Sequence, residues 1–168
     1  MLENNDLTSS VQRVLIYPAR ISKVSGRQVY FLFSLRQVED ILIDASVLPV
    51  PFSPSYVDGV AEWRNCTMPV VSLDAFLAPR SPMSRKVQRM MVVRVPQRNE
   101  TPLSPHRMML RMTPPVRMLT LPIESTPVSP SWIDNKIQTK GVYDWKNGIL
   151  VVADIEKILK GSNNICHE

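Results

Sequence analysis

One motif appears twice in this chain, 82 residues apart: GVAEWRNCTMPVVSLDAFL from Gly59 to Leu77 and GVYDWKNGILVVADIEKIL from Gly141 to Leu159. Six of the nineteen aligned positions are identical, and most of the others keep their character, such as Glu62 with Asp144, Arg64 with Lys146 and Phe76 with Ile158. Two copies at so long a period call for two related lobes rather than a solenoid. Each copy also reads the same way locally. Val60–Trp63 is a half-buried strand, Arg64-Asn65-Cys66 a turn, and Met68–Leu73 a nearly continuous apolar strand. The later copy places Asn147-Gly148 at its turn, because both residue types tolerate positive φ. A short helix follows, clearest in the second copy: Asp154 as N-cap, Ile155, Ile158 and Leu159 on one face, Glu156 four before Lys160, and Gly161 as the stop.

The rest of the chain fits short strands around this pair. Fifteen prolines are spread along 168 residues, and proline interrupts both helix interiors and central strands. Long helices are therefore not expected. Gln12–Ile21 and Val29–Leu35 are apolar runs separated by Ser25-Gly26, and Arg89–Val95 and Met108–Met112 form a similar pair. The segment between that second pair, polar and proline-rich from Pro96 to His106, reads as a mobile loop, and Ala78–Lys86 as a connection between lobes. Ser53-Pro54 and Ser129-Pro130, upstream of the two copies, each mark a helical turn, the first of them closed by Gly59. A sheet closing on itself in each lobe would remove exposed edges.

Several function classes have little support in the residues. No segment approaches the roughly 18 apolar residues of a membrane span, and the stretch MLENNDLTSS lacks the basic-then-apolar order of a secretory signal, so a cytoplasmic protein without membrane insertion is expected. Cys66 and Cys166 lie 100 residues apart with no metal-site spacing, which reads as two unpaired thiols in a reducing compartment. His106 and His167 have no neighbourhood suggesting a nucleophile and base, and adjacent Glu39 and Asp40 would point to opposite faces of a strand. With five glycines there is no phosphate-cradling loop. The expectation is no catalysis, no metal and no cofactor.

The motif blocks resemble the CheW-like domain family, the adaptor fold of bacterial chemosensory arrays. FLFSLRQVEDI, from Phe31 to Ile41, is similar to the family's YALxxxxVxEI segment, and GVAEWRN follows eighteen residues later where the family has GVxNLRG. Met68–Leu73 resembles its (V/I)PVVDL and ILVVADIEKIL its closing LLDIxKLL, with spacing that needs no insertion. The likeness is weak between Ala78 and Gln138, where Met108–Thr113 lacks the family's glycine and aspartate; Trp63 and Asn65 also replace its Leu and Gly.

The resemblance implies an all-β fold: one domain over 1–168 made of two small SH3-like five-stranded β-barrel lobes with short helices, one near the C-terminus. The pseudo-repeated regions are about 11–78 and 87–160, and strands can be exchanged between lobes. It also implies a noncatalytic adaptor whose partners are the regulatory domain of a CheA-type histidine kinase and the cytoplasmic hairpin tip of a chemoreceptor. The positions that carry over as partner-binding are Val38, Asp40, Ile41 and Arg64. Val38 and Ile41 are equally compatible with ordinary strand packing, and Arg64 with a solvated turn residue or an ion pair to Glu62.

Charge supplies the competing reading. Arg80–Arg117 holds nine basic residues and one acid, Glu100, whereas the remainder is net acidic. That segment suits an acidic protein surface, or alternatively a nucleic acid or other polyanion. Single-strand binding needs aromatics interleaved with the basic residues, and none lies between Arg80 and Arg117, so no nucleic-acid partner is expected.

Overall fold

The computed structural model describes residues 11–21, 23–77, 89–95, 106–133 and 139–163. The first region supplies β1 (Arg13–Pro18), β2 (Val29–Ser34), a 3-10 turn (Leu35–Gln37), β3 (Val38–Leu42), β4 (Val57–Trp63), β5 (Cys66–Ser72) and the one-turn helix α1 (Asp74–Leu77). From the second come β6 (Arg89–Val95), β7 (His106–Met112), β8 (Arg117–Thr120), β9 (Ser125–Pro127), β10 (Thr139–Trp145), β11 (Gly148–Ala153) and α2 (Ile155–Asn163). His106 therefore opens β7 instead of lying in the proline-rich loop; the expected mobile loop at 96–105 and the connection at 78–86 lie outside the described residues.

Two sheets result, ordered β8-β1-β2-β11-β10-β9 and β3-β6-β7-β5-β4. The all-β, two-lobed class implied by the sequence holds, with one sheet of six strands where five were expected. The lobes do not coincide with the repeats: each sheet takes its leading hairpin, β1–β2 or β6–β7, from the opposite repeat. In both sheets that hairpin lies parallel to the last strand of the motif, β2 with β11 and β7 with β5. The sheets' outer edges also correspond. β9 pairs with β10, while on the other sheet Leu48 alone bridges Val60 of β4.

Alternation along the strands explains their continuous apolar runs. Leu15, Tyr17, Phe31 and Phe33 of one sheet and Val71, Met91, Val93, Met108 and Leu110 of the other meet in one core between the sheets, joined by Ile155, Ile158 and Leu159 of α2. The intervening residues face the inside of each lobe: Met68, Val70, Met90, Val92 and Met109 with Trp63 in one, Ile16, Tyr30 and Leu150 with Trp145 in the other. Both faces are buried, so both must be apolar. The paired tryptophans of the motif thus each anchor one lobe's private core.

The turns refine the local reading. Arg64 and Asn65 form a two-residue loop with φ of 50° and 61° between paired Trp63 and Cys66, as a type I′ hairpin requires. In the second hairpin the loop is Lys146-Asn147, one residue earlier than expected, and Gly148 pairs with Trp145 as the first residue of β11. Gly148 is needed there because a Cβ would come within 2.4 Å of the Gln28 carbonyl oxygen, and its φ is 155°. Both Ser-Pro segments form turns, closed by Val57 N–H donating to the Pro54 carbonyl at 2.9 Å and Ile133 N–H to that of Pro130 at 3.4 Å. Gly59 does not end the first of these. It sits within β4 at a bulge, where a Cβ would lie 2.2 Å from the Leu48 carbonyl oxygen. Asp154 caps α2 through Oδ1, which accepts from Lys157 N–H at 3.3 Å. The helix runs two residues past Gly161 to Asn163, since glycine lowers helix propensity without forbidding a last turn.

Candidate functional site

Strand β3 forms one end of its sheet, paired with β6 on one side, and it carries three of the four residues singled out in the sequence. A register shift between Val38 and Asp40 sets Glu39 and Asp40 toward different partners. Val38 is half-buried against the core between the sheets, so that position packs inward. Ile41 is open to solvent at 38 % exposure.

Asp40 lies at the centre of a small surface cluster. Its Oδ2 accepts from the Trp63 indole N–H at 2.9 Å, and its Oδ1 from the backbone N–H of Ile41 at 2.9 Å. Those two donors, the indole first, hold its carboxyl below the usual aspartate value, with the Arg64 charge assisting. Arg64 contacts the same oxygen more loosely, Nη2 standing 3.8 Å away, and its guanidinium lies 4.3 Å above the Trp63 ring. Its side chain stays 71 % exposed. The ion pair considered from sequence, Arg64 with Glu62, is replaced by Arg64 with Asp40, which the hydrogen bond from Trp63 holds beside the hairpin tip.

Glu39 organises a second layer behind this cluster. Only 12 % exposed, it accepts from Arg107 Nε at 2.5 Å and Arg94 Nε at 2.8 Å. The Arg107 hydrogen bond, opposed by partial burial and supported by Arg94, draws its carboxyl below the usual range. The Arg107 guanidinium also lies 5.7 Å from the Trp63 ring centroid, so Trp63 links both layers. Neither the indole–Asp40 bond nor the Glu39 fork was evident in the sequence. Each joins residues 23 or more positions apart, and only the type of Trp63, an aromatic where the motif's relatives carry Leu, hinted at it.

The basic segment looks different in three dimensions. Of its five described arginines, Arg94 and Arg107 pair with Glu39, and Arg111 pairs at 2.6 Å with Asp58, whose side chain is 3 % exposed. Arg80, Arg85, Lys86 and Arg98 lie outside the described residues. Three of the five described arginines are thus paired with carboxylates within the same sheet.

The equivalent corner of the other lobe is locked. Arg27 pairs with Asp144 at 2.6 Å and donates to the carbonyls of Trp145 and Gly148, so a side chain from the β1–β2 turn grips the β10–β11 hairpin. Among the described residues no group of His, Cys, Asp and Glu could hold a metal ion, and no helix is long and apolar enough to cross a membrane. Cys66 is a free, exposed thiol; Cys166 lies outside the described residues.

One sheet edge of this two-lobed β module thus carries a polar cluster, Asp40 and the exposed Arg64, set on the buried Trp63 ring. The model of the CheW-like domain matches residues 21–163, and the chain belongs to that family. Among solved structures it is similar to the scaffolding protein TtCheW from Thermoanaerobacter tengcongensis, with a TM-score of 0.61 at 13 % identity over 90 % of this chain and 89 % of that one. Comparison with curated protein sequences gave no match.

Proposed function

We propose that this protein is a noncatalytic cytoplasmic adaptor that couples chemoreceptor hairpin tips to the regulatory domain of a CheA-type histidine kinase. Its membership of the CheW-like family supports this reading, as does its likeness to a protein described as a scaffold. The observation that carries it is the cluster of Asp40, Trp63 and Arg64 at the edge of β3. An exposed guanidinium is stacked on an indole and held beside a carboxylate that has other donors, so most of the guanidinium's N–H groups face outward. Ile41 adds an apolar contact on the same strand. Such a preset rim suits recognition of another protein, where peripheral charge governs encounter rate and partner choice more than affinity.

Binding of the purified chain to kinase regulatory domain and to receptor cytoplasmic fragments tests the reading. Arg64→Ala and Asp40→Asn should weaken one or both complexes and steepen no salt dependence, while thermal stability changes little. A folded chain that binds neither protein would remove the adaptor reading, and a large stability loss in Arg64→Ala would assign that residue to the fold.

A further inference from the structure

The connection from β3 to β4 carries an expense that the fold itself does not explain. Val50-Pro51-Phe52-Ser53 is a turn closed by the Ser53 N–H donating to the Val50 carbonyl at 3.4 Å. Pro51 at its first central position and a φ of 61° at the second are the marks of a type II turn, whose second central position favours Gly or Asn. Here that position holds Phe52, and the side chain is fully exposed. An aromatic residue in the left-handed region is strained, and an aromatic ring wholly in water gains nothing from burial. Both penalties fall on one residue.

The surroundings repeat the pattern. Leu48 and Ile43 are exposed at 66 % and 71 %, and Val50 is exposed at 36 %, while Ala45 and Val47 between them pack inward, so Leu48, Val50 and Phe52 present apolar surface outward at this end of the connection. Pro49, Pro51 and Pro54 stiffen it, which lowers the ordering entropy that a partner would otherwise have to overcome. Between Glu39 and Trp63 there is no Lys, Arg or His, and Asp44 and Glu62 are exposed acids. That charge repels an anionic lipid surface and favours a protein whose contact carries basic residues.

We propose that Phe52 is a docking knob, kept at the expense of local stability, which a partner protein receives in an apolar pocket rimmed by Lys or Arg. Leu48 and Val50 form its apolar collar, and Asp44 and Glu62 face the basic rim. The choice of partners to test rests on the adaptor reading: the kinase regulatory domain and the receptor fragment.

Phe52→Asn and Phe52→Gly in the full chain separate the two roles, because both residues accept the positive φ. Each variant should melt about 3 °C higher than the parent as strain is relieved. Each should also bind one of the two proteins roughly thirtyfold more weakly, as expected on removing a central aromatic anchor. Addition of salt should weaken the parent complex. A lower melting temperature would overturn the proposal by showing that Phe52 serves the fold. So would unchanged affinity for both proteins, or Phe52-dependent binding to anionic vesicles. If the folded parent binds neither protein, the adaptor reading falls and this occupant with it; if the parent binds and the variants bind equally well, only the knob is refuted.

Discussion

Tyr17 offers a direct test of how the core between the sheets is built. Its ring packs 5.4 Å from Phe31 and stacks 5.9 Å from Phe33, yet its hydroxyl is buried and has no hydrogen-bond partner among the described residues. Burial, and after it the nearby charge of Asp74, push the phenol well above its ordinary value of 10.0, so the group stays neutral. A buried hydroxyl without a partner costs about 1–3 kcal/mol. Tyr17→Phe keeps the ring and deletes only that oxygen, leaving a void of about one atom. The net expectation is a gain of about 1 kcal/mol, which for a chain of this size raises Tm by about 3 °C. With a urea slope of about 2 kcal/mol per molar, the midpoint should rise by about 0.5 M at unchanged slope. Equilibrium urea unfolding followed by tryptophan fluorescence reads this directly, since Trp63 and Trp145 sit in the two lobes' own cores and Trp132 packs against the core that holds Tyr17. A midpoint lowered by a similar amount would refute the reasoning, because it would mean that the hydroxyl is satisfied in the folded protein.

Other consequences follow from the same geometry. Gly59→Ala would place a methyl group 2.2 Å from the Leu48 carbonyl oxygen and should break the Leu48–Val60 bridge, at a cost of roughly 3 kcal/mol; a loss below about 1 kcal/mol in thermal unfolding would contradict the packing. Glu39 is drawn below its ordinary 4.5, so its stabilising contribution is present above that value and is lost as pH falls through its lowered folded one. Asp74 runs the other way: burial raises it above 3.8, so the fold gains stability as pH falls from its raised value toward 3.8. Stability measured against pH should therefore show a shallower acid loss in Glu39→Gln and a steeper one in Asp74→Asn, and identical profiles would show that neither carboxyl titrates as described. Cutting the chain between the repeats, within 78–88, should yield two pieces that do not fold apart but regain native near-ultraviolet dichroism when mixed, because each sheet needs strands from both.

How far the residues themselves disclosed this architecture depends on whether a feature is local. The hairpins, the cap at Asp154 and the turn at Ser25-Gly26 depend on neighbours within a few positions and were legible. So was the position of Arg64 at a hairpin tip. Strand partners were not, since alternation tells which face a residue takes and not which strand lies beside it; nothing in Val29–Ser34 names β11 as its parallel neighbour. The loop at Lys146-Asn147 shifted by one because the constraint on Gly148 comes from the carbonyl of Gln28, 120 residues away in sequence. For the same reason the pairing of Arg94 and Arg107 with Glu39, and of Arg111 with Asp58, could not be read from the basic segment itself. Phe52 is the instructive opposite. The Pro51-Phe52 pair was visible all along, but an unfavourable φ can be recognised only once the backbone is known.

Among the described residues the chain passes between the sheets twice, through the 3-10 turn Leu35–Gln37 and through residues 113–116, two of which are proline. The strands β3 to β7 are consecutive in the chain and make up one sheet, and these two short links join it to the other among the described residues. Two attachments define an axis, so any swing of one lobe against the other is confined to rotation about that line, and the buried side chains between the sheets oppose even that. A load applied at the rim of one lobe is passed on to the other instead of being absorbed by slack.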